Sequence, residues 1–410
     1  MAFEWPVTTV EAIASPTRNA LVGGPFGSNL VSRDYVDGGV PVIRGQNMGG
    51  RWLTGEFAFV TEEKANSLQA NLARPGDIIL TQRGTLGQVC LVPDWPYDRY
   101  LVSQSQMKLT VDRRVADPRF FYYVFTAADQ QEYIRQHAIQ TGVPHTNLGI
   151  LRATPVVLPP LKVQRAIADV LGALDDKIEL NRWMSETLER IASACFSRWF
   201  SRGGRRNDDA GTGVARDIVE FDPTERLKRG TVAPHLGLAE LPTVGPIHQP
   251  SRLRPFTSGA RFRNRDTLLA RITPSLENGK TALANGLPHD SVAWGSTEII
   301  VMRARQGVPF SVPYLLARDA SFRARAVRSM SGTSGRQRVP REALEDEPIS
   351  IPPKHRLVEF GELVDPMFDA MFAKARESET LAAIRDALLP KLISGGLRVP
   401  DAERVVGEVV

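Results

Sequence analysis

Three stretches carry side chains at spacings that could do chemistry, and each lacks a residue that its chemistry needs. Gly279-Lys280-Thr281 has the last three residues of a phosphate-cradling loop. The first glycine of that motif would stand at position 274, which is Pro274. Asp365-Pro366-Met367-Phe368 approximates the Asp-Pro-Pro-Phe of adenine-methylating enzymes, but the second proline is Met367 and the stretch falls inside a helical apolar stripe. Pro93-Asp94 with Gln106-Met107-Lys108 approximates a nuclease core with Gln106 where an acid belongs. The six His form no pair at ligand spacing, and His145 and His355 read as loop or cap residues. Cys90 and Cys195 are the only cysteines, which excludes a disulfide framework and a cysteine zinc site. The expectation is a chain with no catalytic residue and no metal: a reader rather than an enzyme.

The charge says what it would read. The net charge is +5, unevenly spread. Residues 1–160 carry 14 basic and 14 acidic side chains, and residues 161–250 carry 13 of each. Residues 251–341 carry 16 basic and 5 acidic, and residues 342–410 carry 8 and 14. All but Lys280 of those 16 are Arg, whose planar fork suits phosphates and guanine edges. An Arg excess confined to one stretch points to nucleic acid or another polyanion. With 410 residues, 42% of them hydrophobic, two or three globular domains are expected. No apolar run approaches the ~18 residues of a membrane span. Met1-Ala-Phe-Glu-Trp-Pro does not read as a secretory signal, so the cytoplasm is expected.

The elements that would position such a reader come twice. Pro159-Pro160 recurs as Pro352-Pro353 and Ser185-Glu186-Thr187-Leu188 as Ser378-Glu379-Thr380-Leu381, both at a shift of 193; Ile191 maps to Ile384 and Gly142 to Gly335. Gly203-Gly204 is echoed by Gly395-Gly396, one residue off. Each half reads as a mixed α/β region followed by one long helix. Apolar residues in the first helix, about Leu161 to Phe200, fall at Ile167, Leu171, Leu174, Ile178, Leu188, Ala192, Cys195 and Trp199, with Asn181 and Ser185 between. The second gives Phe360, Val364, Met367, Met371, Leu381, Leu388 and Leu392, with Lys374, Ser378 and Arg385 in the stripe. A four-three stripe of this length predicts a coiled-coil seam, and two such helices can lie antiparallel. Arg74-Pro75-Gly76-Asp77 followed by Ile78-Ile79-Leu80-Thr81 predicts a turn and a strand. Arg265-Asp266 followed by Thr267-Leu268-Leu269-Ala270 is the counterpart. Phe120 to His137 and Val312 to Met330 predict helices, Ser201 to Gly213 a hinge, and residues 205–260 few strands.

With these pieces in order, the chain resembles the specificity subunit of type I restriction–modification systems. Gly24-Pro25-Phe26-Gly27-Ser28 with Val42-Ile43-Arg44-Gly45-Gln46-Asn47 resembles the start of that family's target recognition domain. The run Gly76 to Gly87 resembles its strand and Arg-Gly segment. Leu158-Pro159-Pro160-Leu161 with Gln164-Arg165-Ala166-Ile167-Ala168 resembles the beginning of its long helix. In the second half, Ala270 to Lys280 and Gly295-Ser296-Thr297-Glu298 are similar to the family, whereas Lys354-His355-Arg356-Leu357 has no Gln matching Gln164.

The resemblance implies an α+β fold: two mixed α/β target recognition domains in pseudo-two-fold repeat, separated by two long antiparallel coiled-coil helices. The expected boundaries are 1–158 and 203–351 for the domains, 159–202 and 352–396 for the helices, and 397–410 for a tail. It implies a non-catalytic subunit of a DNA methyltransferase/endonuclease complex, each half reading one part of a bipartite, non-palindromic site in double-stranded DNA. Two methyltransferase subunits and restriction/motor subunits would be partners, and S-adenosylmethionine, ATP and Mg would act in those partners and not in this chain. Base contacts specify and phosphate contacts position, so polar loop residues beside glycines are the candidates. In the first half these are Arg44, Gln46, Asn47, Arg83, Thr85, Gln104, His145 and Asn147. In the second they are Arg261, Arg263, Asn264, Arg271, Ser275, Asn278, Lys280, Ser334, Arg336, Gln337 and Arg338. The alternatives are a stand-alone DNA methyltransferase or nuclease with divergent motifs, and a scaffold binding RNA or an acidic protein.

Overall fold

A computed structural model describes residues 5–139, 143–200, 211–333 and 335–410. The chain divides into two compact units: residues 1–178 with 379–410, and residues 179–378. Each unit therefore owns a mixed α/β region and a portion of both long helices, Leu161–Phe200 and Lys354–Ile393, which are 40 residues each and start 193 apart.

In the first unit the strand Ile78–Thr81 is buried throughout. Its period-2 alternation sends Ile78 and Leu80 into the large core around the helices and Ile79 into a second core with Cys90 and Val102. This strand is central to a four-stranded antiparallel sheet in the order Leu21–Gly23, Gln106–Leu109, Ile78–Thr81, Val89–Leu91. A five-stranded sheet has the order Tyr35–Val36, Ala58–Val60, Val40–Ile43, Tyr100–Val102, Leu72–Ala73. Its one parallel pair is Val40–Ile43 with Tyr100–Val102. The second unit repeats the plan. One sheet runs Val219–Phe221, Ile299–Ala304, Thr267–Ala270, Thr281–Leu283. The other runs Arg252–Pro255, Val232–Leu236, Ala293–Gly295, Arg261–Phe262, with its parallel pair at the matching place.

The region expected to be poor in strands thus holds four: Gly211–Val214, Val219–Phe221, Val232–Leu236 and Arg252–Pro255. Gly211–Val214 and Val219–Phe221 pair with distant segments, Val232–Leu236 pairs with Arg252–Pro255 across a long loop, and only Val219–Phe221 shows local alternation of burial. Gly211 to Gly213, expected in a hinge, pair with Ile349 to Ile351. The rest of that expected hinge, and Gly142 of the repeat, lie outside the described residues. The expected tail contains a helix, Val399–Gly407, with Ala402 and Val406 in the first unit's core.

The two expected helices at 120–137 and 312–330 are each a helix pair. Pro118–Thr126 is followed by Ala128–Gln136, and Ser311–Arg318 by Ala320–Arg328; extended Ala127 and Asp319 break them. Asp117 caps the first, its carboxylate accepting from the Arg119 amide, and Pro118 sits where a missing N–H costs nothing. Phe120, Phe121 and Phe125 are fully buried, worth roughly 2–3 kcal/mol each by area.

Each unit ties its domain to its helices through a tyrosine. Tyr123 donates to Asp175 at 2.6 Å, and Arg385 of the second long helix grips the same carboxylate at 2.6 Å. Tyr314 donates to Glu189 at 2.5 Å. Burial beside these carboxylates pushes both phenols well up. Gln164 is also structural. It is fully buried, its Oε1 accepts from Asp117 N, and its Nε2 donates to Val115 O and Pro159 O. The equivalent position in the second unit is Leu357, buried without any polar demand.

Within the second unit the long helices run antiparallel, with Asn181 against Ser378 and Phe200 against Phe360. Buried Asn181 donates to Glu377 at 3.1 Å and Ser378 at 3.3 Å, so the polar level of the seam is a real contact. The apolar stripe departs from the expected one at both ends of this segment. Phe196 and Phe200 are buried where Cys195 and Trp199 were expected to lead, and Phe368 is fully buried beside partly buried Met367. Straight α-helices drift from a 3.5 repeat, and here both helices pack on a domain as well as on each other.

Candidate nucleic-acid interface

The two sheets of the first unit end together, and their end loops hydrogen-bond into one ledge. Thr81 faces Gln106, and beyond that pair the amides of Gln82 and Arg83 both donate to Ser105 O, at 2.7 and 3.1 Å. The return segment joins through Thr146 N to Gln82 O at 2.9 Å and a bridge between Arg83 and His145. Ser103 N donates to Ile43 O, which brings in the Arg44–Asn47 turn. Gly24 closes the ledge: a Cβ there would sit 1.8 Å from Ser103 O, so only glycine permits the approach. Gln104 Nε2 then donates to Gly27 O at 2.9 Å and Leu30 O at 3.2 Å.

Most first-half candidates gather on this ledge, with different duties. Arg83 and Thr85 are exposed and their side chains are unengaged among the described residues. Gln46 is exposed and donates to Glu56 O, and exposed Gln104 holds the Gly27 loop. Arg44 is half-buried with an enclosed, unpartnered Nε. His145 is half-buried, its Nδ1 3.2 Å from Val143 O. Two candidates are held by the local backbone. Asn47 is fully buried, accepting from Arg44 N and donating to Thr54 O and Glu56 O. Asn147 caps the helix Leu148–Ala153 by accepting from Ile150 N. Both amides serve the backbone because a short polar side chain competes well for local N–H groups.

The second unit builds the same ledge. Ala270 faces Ile299, Arg271 N donates to Glu298 O at 3.0 Å, and Ile272 bridges Arg338. Here the occupants are largely committed. Arg338 forms a two-pronged pair with Glu298 at 2.6 and 2.8 Å, which holds that carboxyl below its usual range. Arg271 donates to Val339 O at 2.9 Å and Lys280 to Leu238 O at 2.6 Å. Arg263 pairs with buried Glu225 at 2.7 Å, and Asn264 makes two bonds to Leu287. Ser275 is half-buried in a turn closed by Lys280 N to Ser275 O, and Gln337 O accepts from Thr273 N. Asn278 and Arg336 are exposed and unpaired among the described residues; Ser334 lies outside them. Arg338, Arg263, Lys280 and Asn264 each have a partner far away in sequence. Arg261 lies apart from the ledge loops, on a sheet face over the Phe256 ring at 6.0 Å.

Sequence reasoning missed the counterpart of the Arg44–Asn47 turn. It is Gly237 to Glu240, where Gly237 N donates to Glu240 Oε2 at 2.8 Å as Arg44 N does to Asn47. An acceptor four residues after a strand end was the available signal. No cluster of potential metal ligands occurs among the described residues, and no described helix is long and apolar enough to cross a membrane.

Known proteins share this plan. The family described as type I restriction modification DNA specificity domain matches residues 28–190. The type I restriction enzyme MjaIX specificity subunit of Methanocaldococcus jannaschii is 23% identical, covering 97% of this chain and 94% of that protein. The HindI specificity subunit of Haemophilus influenzae is 30% identical over 129 residues, 31% of this chain and 28% of that protein. In structure, the crystallised type I restriction–modification S subunit from M. genitalium superposes with a TM-score of 0.57 at 18% identity, covering 95% of this chain and 96% of that one. With a doubled sheet plan, a doubled ledge and two long helices, the chain is similar in sequence and in fold to the specificity subunits of type I restriction–modification systems.

Proposed function

We propose that each unit reads one part of a bipartite, non-palindromic site in double-stranded DNA, and that the chain positions methyltransferase and restriction subunits on it in the cytoplasm. The observation that carries this reading is the ledge built twice on one set of backbone hydrogen bonds with different side chains. Equal frames with unequal edges suit two different half-sites. Base flipping and methyl transfer then belong to the partner subunits, with S-adenosylmethionine, ATP and Mg bound there. Leu180, Trp183 and Met184 form an exposed apolar stripe at helical spacing on the first long helix, which suits a docking post for such a subunit.

Helix length acts as the ruler in this reading. Forty residues span ~60 Å, and readers on one side of a duplex fall about one helical turn, ~10 base pairs, apart. The register of Asn181 with Ser378 and Phe200 with Phe360 places Arg190 near the level of Asp369. Four residues inserted after both positions add about one turn, ~6 Å, while keeping the helices matched. Methylation mapping of the paired insertion, partners present, should show the unread gap changed by one or two base pairs with both half-sites intact. An active variant with an unaltered gap, or altered half-site bases, would rule the ruler out.

A further inference from the structure

The mixed sheets of the two units differ on one face. In the first unit a single cross-strand row is Ala58, Val42, Leu101, Leu72. The last three are buried, and the helix Glu62–Ser67 covers them with Ala65. In the second unit the equivalent row is Arg252, His235, Trp294, Arg261. Only Phe256 to Ala260 separate the strands Arg252–Pro255 and Arg261–Phe262, too few residues for a covering helix. The apolar cover is reduced to Phe256 and Leu227 against Trp294. Arg261 lies over the Phe256 ring, and the His235 imidazole packs edge-on to Trp294 at 4.3 Å.

This face holds free charge. Arg252 and Arg254 are exposed and alternate with Leu253 along the edge strand, so both point to the same side about 6.8 Å apart. Lys228 and Arg229 are exposed on the loop whose Gly230 and Thr231 hydrogen-bond with Phe256. None of Arg252, Arg254, Arg261, Lys228 and Arg229 has an ion-pair partner among the described residues. The other arginines of the basic stretch are mostly paired, as Arg263, Arg303 and Arg338 are. Closely set cations repel one another, a cost that falls away if a polyanion lies on the face. The row sits one residue inside the strand ends at Leu236 and Gly295, next to the ledge turn Ser296 to Glu298.

We propose that this open face grips the phosphate backbone of the duplex beside the half-site read by the second unit. The inference rests on the DNA-reading assignment and deepens it: the ledge specifies, and this face supplies sequence-independent hold. A regular backbone of negative charge is the occupant that three unpaired cations on a short sheet and two on the adjoining loop fit best, because each neutralised phosphate releases a counterion.

The test uses the chain assembled with its methylating partner and compares wild type with Arg252→Gln/Arg254→Gln/Arg261→Gln on the cognate duplex. Log affinity against log salt should flatten by about 2–3 in slope, at roughly 0.9 for each phosphate no longer neutralised, with the methylated sequence unchanged. The triple Arg→Lys variant should keep the wild-type slope. Trimming duplex beyond the second half-site should weaken wild type and leave the Gln variant nearly unaffected. An unaltered slope would overturn the proposal, as would loss of partner co-purification without a slope change, which would assign the face to an acidic protein. Wild type that binds cognate and unrelated duplex equally would overturn the DNA-reading assignment itself, and this inference with it.

Discussion

The two ledges share a backbone and differ in what is left free. Where the first has Ser105 and His145, the second has Glu298 and Arg338, joined to each other. Arg83 stands exposed on the first ledge; Ile272 takes its place on the second. The difference teaches that frame and edge are separable. Main-chain N–H groups hold the loops, so side chains can change without loss of the frame. It also teaches that a basic excess in sequence does not locate free charge. The +11 of residues 251–341 is largely spent on internal carboxylates and carbonyls, and its free part lies on a sheet face more than on the ledge.

The largest contrast is expected below the ledges, at the turn before each central strand. Asp77 accepts from Arg74 N and Thr110, and Asp266 accepts from Arg263 N. Asp266 also holds the Arg303 fork at 2.6 and 2.7 Å. Burial pushes both carboxyls up, and Arg303 in turn is stabilised in its charged form. Asp266→Asn strips a part-buried Arg of one of its two carboxylates and should cost about 3 kcal/mol. Asp77→Asn loses a hydroxyl and an amide bond to a charged acceptor, about 1–2 kcal/mol. Denaturant unfolding of the two variants checks this; equal losses would mean that the ion pair adds nothing to the turn.

Next in size is recognition. Arg83→Ala should cost about 1–3 kcal/mol of binding and relax one position of one half-site. Arg338→Ala should cost less in binding, since its fork is occupied, and should instead loosen the ledge through Glu298. Glu298→Gln frees that fork and should raise affinity for unrelated duplex with a steeper salt slope. Binding titrations on cognate and mismatched duplexes separate these outcomes. A full loss of one half-site in Arg338→Ala would show that the pair opens on DNA.

How much of this was legible follows the range of the interactions. The repeat and both long helices were readable because local stripes and a constant offset carry them. The Asp77 and Asp266 turns were readable because the signal is three residues long. The strands at 211–255 were not, because they pair with distant residues or expose every side chain, as Arg252–Pro255 does. The partners of Asn47 and Arg338 were hidden because nothing local says that Glu56 O or Glu298 would meet them. The open face was hidden for the same reason: Arg252, His235, Trp294 and Arg261 are neighbours only across strands.

The smallest expected effect is at His235, whose counterpart Val42 cannot titrate. Burial, then Arg254, hold this imidazole below its usual value near 6.5, with Glu240 pulling the other way. The groups around it are Arg252 and Arg254 on the edge strand, Arg261 across the sheet and Glu240 after its own strand. A histidine with a lowered folded value adds stability above the unfolded value and loses it as pH falls from about 6.5 through the folded value. His235→Gln should therefore flatten stability against pH in that window alone. Phosphates laid on the face would offset Arg254 and raise the His235 value, so duplex binding should take up a fraction of a proton and tighten slightly toward acid. Imidazole NMR titration with and without duplex reads this directly. Arg254→Gln should raise the free-protein value and shrink the DNA-induced shift; a His235 titration indifferent to both would place the backbone away from this sheet.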